Sequence, residues 1–161
     1  MYIDGKWVAA DSGKSFDVLN PATGDVIRQV ADGGAVEATR AIEAADASGD
    51  PGALAYVLSR VAICDLYVAD WATGIPRLER AVATAAKEGD RRLREETNGV
   101  LGKTTYFASD FRRSASLWRE VGQSARISHN EQTGNWSYLG GAANLLRLGD
   151  ATEALRMLQA A

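Results

Sequence analysis

Three places in this 161-residue chain hold side chains of the types that do chemistry. Cys64, in VAICDLY, is the one thiol, and it could act as a nucleophile if a neighbouring base or a helix N-terminus lowered its pKa. His129 is the one imidazole, so the chain lacks the material for a Cys/His metal cluster or an intrachain disulfide. Gly13-Lys14-Ser15 has the ending of a phosphate-binding loop, whose full form needs a glycine five positions before Gly13 and a helix after the serine. Val8 stands at the first place, and Phe16-Asp17-Val18 reads as strand at the second. A turn accounts for the tripeptide, and no nucleotide site is expected. Cys64 falls in a helical apolar pattern, where the expected role is that of a small buried packing residue. No catalytic residue, metal or cofactor is expected.

The elements that carry these residues come in two styles. From Tyr2 to about Val30, β-branched and aromatic residues alternate with turn chemistry at Asp4-Gly5, Asp11-Ser12-Gly13 and Asn20-Pro21-Ala22-Thr23-Gly24. This predicts two or three short strands in a β-hairpin segment over 1–33. After Asp32-Gly33-Gly34, Ala, Leu, Glu and Arg dominate and apolar positions recur at helical spacing. Residues 1–50 carry four Lys/Arg against nine Asp/Glu, a net −5, while the rest carries +2. Neither part is basic enough for a nucleic-acid surface. With 46% hydrophobic and 24% charged residues the chain is not of a disordered type, and no apolar run approaches the roughly 18 residues of a membrane span. No signal peptide is visible, so the expected location is cytoplasmic.

The helical part repeats. Asp70, Asp110 and Asp150 are 40 residues apart, as are Asp50, Asp90 and Asn130. Gly49, Gly89 and Gly149 precede three of these, which fits a helix ending on a positive-φ glycine and restarting on an N-capping aspartate. Side chains keep the same register. Gly74, Ser114 and Ala154 are small, as are Ala62, Gly102 and Ala142, whereas Leu78, Trp118 and Leu158 are large. Small residues let paired helices approach closely, and the large ones fill the space between pairs. The predicted fold is mainly α: a leading helix over 34–48, then antiparallel hairpins over about 51–89, 91–129 and 131–161. The last helix reaches Ala161 without a cap, leaving Leu155, Met157 and Leu158 without a covering neighbour, so a truncated array or self-association through this helix is expected.

Two family resemblances follow. YIDGKWVAADSGKSFDVLNPATGDVIRQVADGGAVEATRAIEAAD (2–46) closely resembles the N-terminus of aldehyde dehydrogenases, most like the succinate-semialdehyde type. In that family this segment is scaffold. The resemblance implies that the chemistry lies far downstream: a cysteine that attacks the aldehyde carbon, a glutamate base and a Rossmann-like domain for the nicotinamide cofactor. Cys64 lacks the glycine-and-glutamine setting of the family nucleophile, and no glycine-rich dinucleotide fingerprint follows a strand. The expectation therefore leans away from an enzyme. The segments 67–90, 106–121 and 136–161 resemble tetratricopeptide-type helical repeats of about 40 residues, as in bacterial signalling regulators. Asp65 and Thr105 depart from that pattern, occupying positions where the family prefers aromatics. The helix at 34–50 superposes on 74–90 through Gly34/Gly74, Arg40/Arg80, Ala41/Ala81, Ala45/Ala85, Gly49/Gly89 and Asp50/Asp90. It would serve either parent, which makes this the least disruptive place to join the two.

The resulting expectation is a non-catalytic repeat scaffold, in a truncated or chimeric chain, that binds a protein or peptide in a helical groove; the alternative is a dehydrogenase fragment. In the repeat family, first helices of each hairpin line the binding face. That assigns Tyr56, Ser59, Ile63 and Tyr67 in the first hairpin, Lys103, Tyr106 and Phe107 in the second, and Trp136, Leu139 and Arg147 in the third. Tyr67, Phe107 and Leu139 also fit a core role, because apolar residues at helical spacing usually pack. Arg91-Arg92 and Arg112-Arg113 read as solvated charges.

Overall fold

The structure, a computed structural model, describes residues 1–159; the last two residues of the third predicted hairpin lie outside these. Asp4 and Gly5 both hold positive φ, 51° and 71°, which is the backbone a two-residue hairpin turn requires. They join β1 (Tyr2–Ile3) to β2 (Lys6–Trp7), antiparallel strands whose Tyr2 and Trp7 rings meet edge-on at 5.3 Å. β3 (Ser15–Leu19) pairs antiparallel with β4 (Val26–Ala31), with an irregularity between Val18 and Leu19. In the connecting turn the Asn20 side chain accepts from the Ala22 N–H at 2.9 Å, and Gly24 takes φ 79°. Four strands form where two or three were expected, because the Asp4-Gly5 turn makes a small hairpin of its own. Ser15 opens a strand and not a helix, as read for the Gly13-Lys14-Ser15 turn.

α1 (Ala35–Ala47) starts at Gly34 and is tied to the loop before β3. The Glu37 carboxylate accepts from the Gly34 and Asp11 N–H groups, each at 2.7 Å, and Arg40 pairs with Asp11 at 2.6 Å. The chain divides into two compact units, Met1–Asp50 and Pro51–Ala161. The spatial division thus falls after α1, whereas the change of sequence style falls before it.

The second unit is a run of helices: α2 (Pro51–Tyr67), α3 (Trp71–Glu88), α4 (Arg91–Phe107), α5 (Phe111–Ser128), α6 (Glu131–Arg147) and α7 (Ala151–Gln159). Helices hold 69% of the described residues, so the fold is mainly α with a short β segment in front. Successive helices pack as antiparallel hairpins, and α4 also packs against both α2 and α6. The turns explain the 20-residue rhythm. Residues 49, 69, 89, 109, 129 and 149 all have positive φ, and each precedes a residue of the aspartate/asparagine ladder. Asp70, Asp90, Asp110, Asn130 and Asp150 each accept the N–H three residues on, at 3.0–3.3 Å. Three of the six positive-φ positions are glycine; Ala69, Ser109 and His129 hold the same conformation without glycine's freedom.

Packing follows the small/large register. Ala62, Leu78 and Leu101 form a buried cluster with Ile75, Val82, Val100 and Leu117 around it. Each fully buried leucine contributes about 1.5–3 kcal/mol from transfer alone. Trp118, 9% exposed, lies across Gly102 and Gly140; a Cβ on Gly140 would sit 2.4 Å from its ring. Thr105, at one of the two departures from the repeat pattern, is buried and its hydroxyl donates to the Leu101 and Gly102 carbonyls. Asp65, at the other, pairs with Arg77. Leu155 and Leu158 of α7 are exposed, but Met157, expected to be uncovered as well, is half-buried because its thioether lies against Gly141 of α6.

Candidate functional site

A groove of about 620 Å³ opens along α4 and α6, with Arg60 of α2 at one end. Stacking of α2, α4 and α6 side by side makes it. Lys103 and Tyr106 from α4 and Trp136 and Leu139 from α6 line it, and these four come together from separate hairpins. Lys103 is exposed and has no ion-pair partner among the described residues. Arg147 lies at the edge, where its Nε donates to the Tyr106 hydroxyl at 3.2 Å, a contact that pushes the guanidinium further above its usual range.

The remaining assignments fall elsewhere. Ser59 is buried and its hydroxyl donates to the Tyr56 carbonyl at 2.8 Å, so it cannot meet a partner. Tyr56 is exposed, with the Arg60 guanidinium 4.8 Å above its ring, but it is not part of the groove wall. Tyr67, 78% exposed, and Phe107, which stacks edge-on against Tyr106 at 5.5 Å, are also outside it. The core role considered for Tyr67, Phe107 and Leu139 is excluded, since all three are more than half exposed. Tyr67 and Phe107 are the last residues of α2 and α4, and Leu139 faces the groove. Cys64 corrects a second expectation: it is exposed, because Ala62 and Leu66 take the inward stripe of α2. Its Sγ reaches the Arg60 carbonyl at 4.0 Å.

Several groove residues were not among the sequence candidates. Arg60 and Arg92 both pair with Glu96, at 3.3 and 3.4 Å, so a carboxylate on α4 gathers two cations at one end of the groove. Arg92, read as a solvated charge, lines the wall. Trp118 belongs to a second helix, yet it reaches the floor across Gly140. Glu95 is buried beneath the same wall and accepts from the hydroxyls of Ser124 and Ser128 at 2.7 and 2.9 Å and from Asn130 Nδ2 at 3.1 Å. The available signal was the glycine pair facing a tryptophan; nothing in the spacing marks Glu95 as buried. Chemically the groove offers aromatic and aliphatic surface with a cationic rim. Among the described residues no grouping of three or more His, Cys, Asp and Glu side chains could hold a metal ion, and no helix is long and apolar enough to cross a membrane.

No protein-family model matches the chain. Curated relatives are similar over a short segment and are aldehyde dehydrogenases by name. Glutarate-semialdehyde dehydrogenase of Pseudomonas aeruginosa is 58% identical over 45 residues, 28% of this chain and 9% of that enzyme. 3-Sulfolactaldehyde dehydrogenase of Pseudomonas putida is 52% identical over 50 residues, 31% of this chain and 10% of the relative. A putative aldehyde dehydrogenase of Staphylococcus aureus is 47% identical over 45 residues, again 28% and 10%. The matched part of the chain spans about a tenth of the length of these relatives. The names agree at the level of aldehyde dehydrogenase and do not carry a substrate across.

Proposed function

We propose that the helical region is a tetratricopeptide-like repeat scaffold that binds a protein or peptide segment in the groove along α4 and α6. The observation that supports this most is the convergence of Lys103, Tyr106, Trp136 and Leu139, all open to solvent or half-open, on one groove. Exposed tryptophan and leucine side by side are costly to leave in water and are the usual anchors of an interface. The exposed Leu155 and Leu158 of α7 supply a second surface, through which the chain self-associates. The dehydrogenase-like segment serves as scaffold without chemistry, because the one cysteine lies outside the stretch 2–46.

A displayed random-peptide library, selected on the full chain and counter-selected on Trp136→Ala, tests the groove. Enriched peptides are expected to lose about tenfold or more in affinity when measured against Trp136→Ala or Lys103→Glu, with the helical melt unchanged. Selection that yields no peptide sensitive to either change would sink the reading. Oxidation of glutarate semialdehyde with a nicotinamide cofactor, abolished in Cys64→Ala, would favour the dehydrogenase alternative instead.

A further inference from the structure

The groove along α4 and α6 is electrically uneven along its length. Near the N-terminal ends of these helices the cations Arg60 and Arg92 are balanced by Glu95 and Glu96. Toward the C-terminal ends the charge is of one sign. Lys103 lies one turn before Tyr106 on α4, and Arg147 of α6 donates to the Tyr106 hydroxyl through its Nε alone. Both cations are exposed, and neither pairs with a carboxylate among the described residues. The carboxylates of the turns that follow these helices, Asp110 and Asp150, are engaged as caps, accepting from the Arg113 and Glu153 N–H groups. Midway along the groove Gly99 and Gly140 present no side chain, so the Trp118 ring comes up between them to form an apolar floor.

Charge complementarity selects the occupant. An acidic segment meets two unpaired cations at one end and a balanced set at the other, whereas a basic segment meets like charge, and such a pattern sets both partner choice and register. We infer that the groove takes an acidic peptide segment, with a bulky apolar side chain over Trp118 and a pair of neighbouring Asp or Glu residues, starting two positions along, at Lys103 and Arg147. The spacing comes from the helix. Gly99 and Lys103 are one turn apart on α4, about 6 Å along the axis, and an extended chain covers that in about two residues. Successive side chains of an extended chain point to opposite sides, so one carboxylate faces α4 and the next faces α6. Two cations on separate helices also outnumber the single carboxylate of a chain terminus, which favours side-chain acids within the segment. The inference rests on the groove reading given above and adds the chemistry of the occupant to it.

The test titrates the full chain into fluorescently labelled synthetic peptides, blocked at both ends, that carry Trp-Gly-Glu-Glu, Trp-Gly-Gln-Gln or Trp-Gly-Lys-Lys in a Gly/Ser background. By anisotropy the Glu-Glu peptide is expected to bind about tenfold or more tightly than the Gln-Gln peptide, with the advantage shrinking as salt is raised. Lys103→Glu combined with Arg147→Glu should reverse the preference toward the Lys-Lys peptide, a gain that a misfolded variant does not give. Equal affinity for the Glu-Glu and Gln-Gln peptides, both lost in Trp136→Ala, would overturn the acidic assignment and leave the groove reading standing. Tighter binding of a Trp-Gly peptide that ends in a free carboxylate than of the blocked Glu-Glu peptide would overturn it as well. Failure of the Glu-Glu peptide to bind overturns the inference in every case, and the groove reading falls with it only if the random library also yields no Trp136-sensitive peptide.

Discussion

α1 and α3 share a sequence pattern at an offset of 40 residues, yet they end in different surroundings. In α3, Ala81 and Ala85 are fully buried, because α2 and α4 both pack against that helix. In α1 the equivalent Ala45 is also buried but Ala41 is only half-buried, and the contacts of the helix within its own unit are with β1. An alanine-rich amphipathic stripe thus specifies a helix and a face, but the number of neighbours decides how much that face stabilises. The same contrast runs through the two units. The one with the specific family resemblance leaves most of its large apolar side chains exposed, and the one with the degenerate repeat pattern encloses a leucine-centred core.

The sharpest way to break this comparison is to truncate matched apolar residues in each unit and follow denaturant unfolding. Leu78→Ala should cost the helical unit about 2–5 kcal/mol, since the cluster around it cannot fully collapse. Phe16→Ser should change the helical transition by no more than about 0.5 kcal/mol, as expected of an exposed site. A large loss from Phe16→Ser would show that the hairpin is covered after all.

Asn130→Asp comes next. The ladder alone treats Asp and Asn as equal N-caps, but here the amide nitrogen donates to buried Glu95 while its oxygen caps α6. Aspartate removes that donor and sets a second carboxyl against the first, so a loss of about 2–3 kcal/mol is expected in the same measurement. Ala69→Gly should act in the other direction and more weakly. A non-glycine residue at φ 57° carries strain that glycine relieves, net of glycine's greater freedom when unfolded, for a gain of about 0.5–1 kcal/mol.

The smallest effect belongs to the first unit. Hydrogen bonds from the Asp11 and Gly34 N–H groups hold the Glu37 carboxyl below its usual range. A depressed value means the unfolded chain takes up the proton first as pH falls. The contribution of Glu37 is therefore complete above about pH 4.3 and lost as pH drops through its folded value. Amide exchange at Asp11 and Gly34 should accelerate in that window, and Glu37→Gln should flatten the dependence.

Much of the helical architecture was legible in the sequence because a turn is a local object. A positive-φ glycine followed by a capping aspartate needs only neighbouring residues, so Gly49-Asp50, Gly89-Asp90 and Gly149-Asp150 announce themselves. The equivalent turns at Ala69, Ser109 and His129 do not, since their strain is imposed by the helices on either side. The groove was half legible. Lys103, Tyr106, Trp136 and Leu139 follow from repeat position, whereas Ser59 lies on the same helical stretch as Arg60 and only packing separates a buried hydroxyl from a groove cation. Exposure of Cys64 was hidden for the same reason: a helical stripe shows which residues share a side, and not which side receives a neighbour.

By itself the sequence determined the mainly helical fold, the 40-residue period, the capping ladder, and the segment similar to aldehyde dehydrogenases. These depend on backbone preferences and spacings a few residues long. Tertiary structure alone decided that Trp118 would cross Gly102 and Gly140 to floor a groove, and that Glu95 would be buried under three donors. It also decided that the hairpin's apolar side chains would stand open. The reason is that burial is a property of pairs of elements, set by which helices stack and how closely, and no single stretch of chain contains its own neighbour.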